Sequence, residues 1–188
     1  MFIRNAIPAD APAIARVHIR AWQAAYNGLM PADYLNGLDV EARTEQWSDI
    51  LANPGPGINL VAGRGEAVEG FCVFGPSRDQ DLEGKNTGEL VALNIDPECW
   101  GSGLGRALVE QVIAESRQSG WDALTLWTIS QNHRARELYE FAGFSLEGAE
   151  KTDSDWIGTE IHELRYIMAL KKLGGISNDG DNRLGSWL

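Results

Sequence analysis

The sequence predicts a single α+β domain. Helical patterns gather between residues 11 and 51 and again between 103 and 142, while strand patterns fill 58–95 and most of the C-terminal part. The two kinds mix without the regular alternation of a doubly wound parallel sheet. The chain has 188 residues, 44% hydrophobic and 23% charged, which fits one domain able to bury a sizeable core.

In chain order, residues 2–6 read as a short strand. Pro8-Ala9-Asp10 then offers a helix N-cap, and Ile14, Val17, Ala21 and Ala25 share one face of a helix over 11–26. Asn27-Gly28 stops it, Pro31 opens a short second helix to Leu35, and 41–51 is a third, with Trp47 and Leu51 one turn apart. The loop Asn53-Pro54-Gly55-Pro56-Gly57 ends this helical part. Strands at 58–63 and 68–74 flank Arg64-Gly65-Glu66 as a hairpin, closed by Pro76. Residues 77–86 read as a polar surface loop, and 89–95 as a mostly apolar, hence central, strand. The strongest helix spans 103–119, with Leu104, Leu108, Val112 and Ile113 in a stripe and Gly120 at its C-cap. A strand over 123–129, a helix over 133–142 ending at Gly143, and strands over 144–147 and 163–170 complete the domain, the last two joined by a loop holding Asp153 and Asp155. The expected domain is 1–172, and the tail 173–188, ending in Trp187 and Leu188, is expected to dock on the domain or on a partner subunit.

Sixteen Lys and Arg against 27 Asp and Glu give a net charge of −11. A general affinity for nucleic acid or an anionic membrane would work against that field, so neither partner is expected. No stretch reaches the roughly 20 apolar residues that span a bilayer, and no export signal is legible. Cys72 and Cys99 form no CxxC pattern, so a reduced, cytoplasmic setting is expected. His18, His133 and His162 show no metal-ligand spacing, and no metal is assigned.

The most informative segment is LNIDPECWGSGLGRAL, residues 93–108. A strand ends before Pro97, and Gly101, Gly103 and Gly105 lead into the long helix. Without Cβ atoms in the way, loop amides can close on an anion while the helix N-terminus adds partial positive charge. The plainer alternative is a helix start that happens to be rich in glycine. A Walker A loop would need Gly-Lys-Ser/Thr where Gly105-Arg106-Ala107 stands, and a Rossmann GxGxxG would need glycine at Arg106.

The order strand, Asp96-Pro97, Gly101-Ser102-Gly103-Leu104-Gly105-Arg106 and long helix resembles the acetyl-CoA pyrophosphate loop of the GNAT superfamily of N-acetyltransferases. The segment SQNHRARELYEFAGF, residues 130–144, is similar to that superfamily's second block through Asn132, Ala135, Tyr139, Gly143 and Phe144. The opening 30 residues look like the entry strand and first helices of bacterial members, so the resemblance runs from about residue 2 to 170. One departure is Trp100, where the superfamily usually carries Gln or Arg.

The resemblance implies a mixed central sheet of six to seven strands with helices on both faces, and acetyl-CoA as co-substrate. It places pantetheine along Leu93, Asn94 and Ile95, with Asn132 as a further contact. Tyr139 would be the acid that protonates the departing thiolate; it lies two helical turns after Asn132, on the same face. Glu89 is the candidate base, with an ordinary strand-end Glu as the alternative. Glu five residues before the Asn, used by relatives that act on peptide amines, is replaced by Trp127, which takes no proton. Trp22 and Tyr26 would wall the acceptor site, where core packing is equally open for Trp22. Arg106 and Arg134 supply local cations, and the remaining acidic surface favours a cationic acceptor. The implied reaction is acetyl transfer to a primary amine of a small molecule or peptide by direct attack. A non-catalytic CoA-binding module, or an acyltransferase with a longer acyl-CoA, are the alternatives. Oligomeric state stays open, a homodimer being one arrangement the superfamily uses.

Overall fold

Period-two alternation divides the chain's apolar side chains between two layers. Leu60, Ala62, Cys72 and Phe74 point into one buried cluster, while their neighbours Val61, Phe71 and Val73 point into another. The computed structural model describes residues 1–153 and 159–170. Its elements are β1 (Phe2–Asn5), α1 (Ala11–Ala25), α2 (Ala32–Asn36), α3 (Val40–Ala52), β2 (Ile58–Arg64), β3 (Ala67–Pro76), β4 (Thr87–Ile95), α4 (Leu104–Gln118), β5 (Ala123–Ile129), α5 (His133–Ala142), β6 (Ser145–Asp153) and β7 (Ile161–Ala169).

The seven strands form one mixed sheet in the order β1-β2-β3-β4-β5-β7-β6. Only β4 and β5 run parallel; every other neighbouring pair is antiparallel. Helices α4 and α5 cover one face, where Leu104, Leu108, Val109 and Val112 are buried against Leu90, Leu124 and Leu126. Helices α1 and α3 cover the other, with Ile14, Val17 and Trp47 on Val61 and Phe71. The expected α+β sheet with helices on both faces is the one observed.

Strand β4 departs from regular pairing on both of its edges. Between Leu90 and Ala92 it carries one residue more than its partner β3, so Val91 makes a bulge. Its parallel pairing with β5 runs only from Thr87–Ala123 to Leu90–Leu126. Beyond that, the strands part, and the β5-facing edge of residues 91–95 is left without a strand partner.

Some boundaries differ from expectation. Asp10 precedes α1 but does not cap it; its carboxylate takes Arg4 in two bonds, 2.6 and 2.8 Å, and the Ile7 amide at 2.9 Å. Strand β6 continues past residue 147 to Asp153 because a register shift between Leu146 and Glu150 absorbs Gly148, which hides the alternation. Asp153 therefore ends a strand, whereas Asp155 and the tail 173–188 lie outside the described residues. Residues 77–86 are a docked loop with Leu82 buried in it. Among the described residues no helix is long and apolar enough to cross a membrane.

Candidate functional site

The parted strands open onto two adjoining cavities. The first, of about 330 Å³, runs from the β4 edge at Leu93, Asn94 and Ile95 to the glycine loop and the start of α4. The second, of about 200 Å³, lies between α1 and the ends of β5 and β7. Tyr26, Leu93, Asn94, Asn132, Ala135 and Tyr139 line both, and so form their common wall.

The glycine loop has the backbone an anion cradle requires. Gly101 and Gly103 adopt φ of 75° and 85°, a left-handed conformation costly for residues with a Cβ, and a Cβ at either would meet no atom within 4 Å. That space lies over the N-terminus of the 15-residue helix α4, whose Ncap Gly103 offers no side chain to the first-turn amides. Those amides stay available to a ligand. Gly105 and Arg106 complete this wall. Ser102 is the one predicted loop residue outside the lining; its amide bonds the Cys99 carbonyl at 3.2 Å within the loop.

Trp100 is more than a departure from a pattern. Its indole N–H donates to the Ile95 carbonyl at 3.0 Å, and the Arg134 guanidinium stacks over its ring at 4.3 Å. It thus ties the loop to the strand end and holds a cation on the rim of the first cavity, which Arg134 also lines.

Asn132 is the N-cap of α5, accepting the Ala135 amide at 3.2 Å. This sets the start of the helix that carries Tyr139. Tyr139 is 7% exposed and packs edge-on against Phe144; its hydroxyl makes no hydrogen bond among the described residues. Burial pushes that hydroxyl above the ordinary tyrosine range, with the neighbouring Tyr26 and Cys72 adding to the shift, so it stays protonated at neutral pH.

Tyr26 and Trp22 stand edge-to-face at 5.4 Å. Trp22 lines the second cavity only, and Tyr26 both. Burial first and Glu163 second push the Tyr26 hydroxyl up to about 12.

Glu89, the expected base, is not brought to either cavity. It is 3% exposed, and its carboxylate is held by Arg78 through Nε at 3.1 Å, Nη2 at 2.7 Å and the backbone amide at 3.1 Å. What it organises is the loop that begins at residue 77.

The carboxylate that does line the second cavity is Glu163, a residue the local sequence does not single out. It enters through the β5–β7 register, which sets it opposite Ile129. Trp127 lines the same cavity and carries the Lys151 ammonium over its ring at 4.3 Å; that ammonium also reaches Glu163 at 3.1 Å.

A mixed sheet parted at its one parallel pair, beside a glycine-turned helix N-terminus, thus joins a free strand edge and an anion cradle to a second, smaller cavity. The model of the Acetyltransferase (GNAT) family matches residues 20–144. An uncharacterized N-acetyltransferase of Bacillus subtilis, YuaI, is 32% identical over 175 residues, covering 91% of this chain and 96% of its own. Among solved structures, the PaiA N-acetyltransferase of Thermoplasma acidophilum in complex with coenzyme A is similar, with TM-score 0.69, 18% identity and 89% and 98% coverage of the two chains. YncA of Salmonella typhimurium with its cofactor acetyl-CoA gives TM-score 0.68 at 22% identity, covering 93% of this chain and 96% of that one. The chain belongs to the GNAT acetyltransferase family.

Proposed function

We propose that the protein transfers an acetyl group from acetyl-CoA to a primary amine of a small molecule or peptide, by direct attack and without a covalent enzyme intermediate. The observation that most supports this is the unpaired edge of β4 at residues 91–95, which adjoins the glycine loop at one end and the aromatic-walled second cavity at the other. The N-acetyltransferase name of the B. subtilis relative and the CoA and acetyl-CoA complexes of the two structural neighbours support the same reading.

In this reading the pyrophosphate is held by the amides of the Gly101–Gly105 segment and the α4 N-terminus, with Arg106 and Arg134 as local cations. The pantetheine arm pairs with the free edge at Leu93, Asn94 and Ile95, near Asn132. When bound, acetyl-CoA supplies the activated acyl carbon. Backbone donors on β4 face the carbonyl oxygen as charge builds on it, an effect worth a few kcal/mol. A C–N bond forms, the C–S bond breaks, the nitrogen releases its surplus proton to solvent, and Tyr139 passes its proton to the sulfur and is reprotonated from water. The hydroxyl is protonated at neutral pH, as an acid for that step must be.

The test is thiol release from acetyl-CoA across amino acids, polyamines, aminoglycosides and peptide N-termini. Tyr139→Phe is expected to keep thermal stabilisation by CoA and to lose turnover by about 100-fold or more; unchanged turnover excludes the role. Stabilisation by CoA with no thiol release from any acceptor favours a non-catalytic CoA-binding module, and faster release from a longer acyl-CoA favours a different donor.

A further inference from the structure

We propose that Glu163 is the residue that binds the acceptor's ammonium and accepts its proton as the nitrogen attacks. This rests on the transfer reaction proposed above and places a carboxylate at the second cavity, which Glu89 does not line.

Three observations converge on it. Glu163 is the one Asp or Glu among the described residues that line the second cavity. An amine entering there meets Trp22, Tyr26 and Trp127 as ring walls and this single carboxylate as its counter-charge, and aromatic faces with an adjacent anion select for cations. The chain also shows how an ammonium sits at this carboxylate: the Lys151 Nζ lies 3.1 Å from Glu163 and 4.3 Å from the Trp127 ring centroid. Finally, Tyr26 and Tyr139 line the same cavity as Glu163, so the proposed acid and base face one space.

The ammonium gives one proton to a Glu163 oxygen and the freed lone pair forms the C–N bond. The C–S bond breaks as Tyr139 protonates the sulfur, and the nitrogen's second surplus proton passes through solvent, which reloads Tyr139. Release of the Glu163 proton leaves amide, CoA thiol and one proton overall. The acceptor class is therefore a protonated primary amine, met by ring faces and one carboxylate.

The charged and titratable groups around Glu163 are Lys151 on β6, Tyr26 on α1 and, beyond them, Tyr139 on α5 and Arg165 two residues along β7. The experiment is kcat/KM for the best amine of the panel against pH, in the unaltered protein and in Glu163→Gln and Glu163→Asp, with thermal stabilisation by CoA measured on each. The unaltered protein is expected to hold a plateau below the amine's own pKa. Glu163→Gln should lose about 100-fold at neutral pH and rise tenfold per pH unit, because only amine already deprotonated in solution reacts, while CoA stabilisation is unchanged. Glu163→Asp should keep the plateau at a reduced rate. A Gln variant within threefold of the unaltered protein, or more active than the Asp variant, overturns the assignment. Absence of thiol release from the unaltered protein with every amine overturns the transfer reaction and this assignment together.

Discussion

Trp100 stands where the superfamily usually carries Gln or Arg, and it ties the glycine loop to its surroundings. Its indole N–H secures the Ile95 carbonyl and its ring face holds Arg134 beside the first cavity. A neutral hydrogen bond contributes about 1 kcal/mol and an exposed cation–π contact about 0.5–1 kcal/mol. Trp100→Ala is therefore expected to raise the acetyl-CoA KM by about tenfold while kcat stays within twofold, since neither contact touches Tyr139 or the second cavity. Steady-state kinetics with acetyl-CoA as the varied substrate checks this, and a loss confined to kcat would show that Trp100 acts elsewhere.

Among the elements, the loop over residues 77–86 matters more than its polar composition suggests. Arg165 on β7 is buried and binds Asp79, Asp81 and Glu147 at once, and Asp79 in turn accepts the Trp127 indole N–H at 3.0 Å. The loop is thereby fastened across the sheet to the wall of the second cavity. Arg165→Met leaves three carboxylates facing an apolar stem. Asp81 is exposed and screened, so the loss comes from Asp79 and Glu147 and is expected to be about 2 kcal/mol, below that of a fully buried pair. It should appear as a lower urea midpoint at unchanged slope; a variant as stable as the parent would mean that solvent already satisfies the cluster. The same loop shows where sequence reading stops. Helices α1, α4 and α5 are legible because their apolar stripes repeat locally, and the glycine loop because its chemistry is contiguous. Asp79 and Asp81 look like solvated charges because their partner lies 84 or more residues away, and Glu163 looks like any strand residue because only the β5–β7 register brings it to a cavity. Glu89 draws notice through its place on the central strand, which says nothing of the Arg78 that claims it.

For the molecule as a whole, the distribution of protons between the folded and unfolded chain sets the acid limb of stability. His18 packs among Trp22, Trp47 and Phe71, accepts the Trp47 indole N–H at 3.3 Å, and has a buried Nε2 with no hydrogen-bond partner among the described residues. Burial, with the charge of Arg43 adding to it, lowers its pKa from 6.5 to about 4. Between those values the unfolded chain binds a proton that the folded chain refuses, so this contribution is complete above pH 6.5 and drains as the pH falls toward 4. At 1.36 kcal/mol per unit it amounts to about 3 kcal/mol. Asp10 acts in a later window: its hydrogen bonds with Arg4 lower its pKa below 3.8, so its contribution is present above that value and is lost only below it. Meanwhile the fall of the net charge from −11 as carboxylates protonate relieves self-repulsion, which pushes the other way. A single pH–stability curve mixes these effects, but a comparison with His18→Leu separates them, because the carboxylates are common to both proteins. Leucine leaves the Trp47 N–H without its acceptor, a cost of about 1 kcal/mol at pH 7, and removes the titration. The variant should be the less stable protein at pH 7 and the more stable one at pH 4.5, with urea midpoints crossing near pH 6. Curves that stay parallel from pH 7 to 4.5 would show that His18 takes up its proton without disturbing the fold.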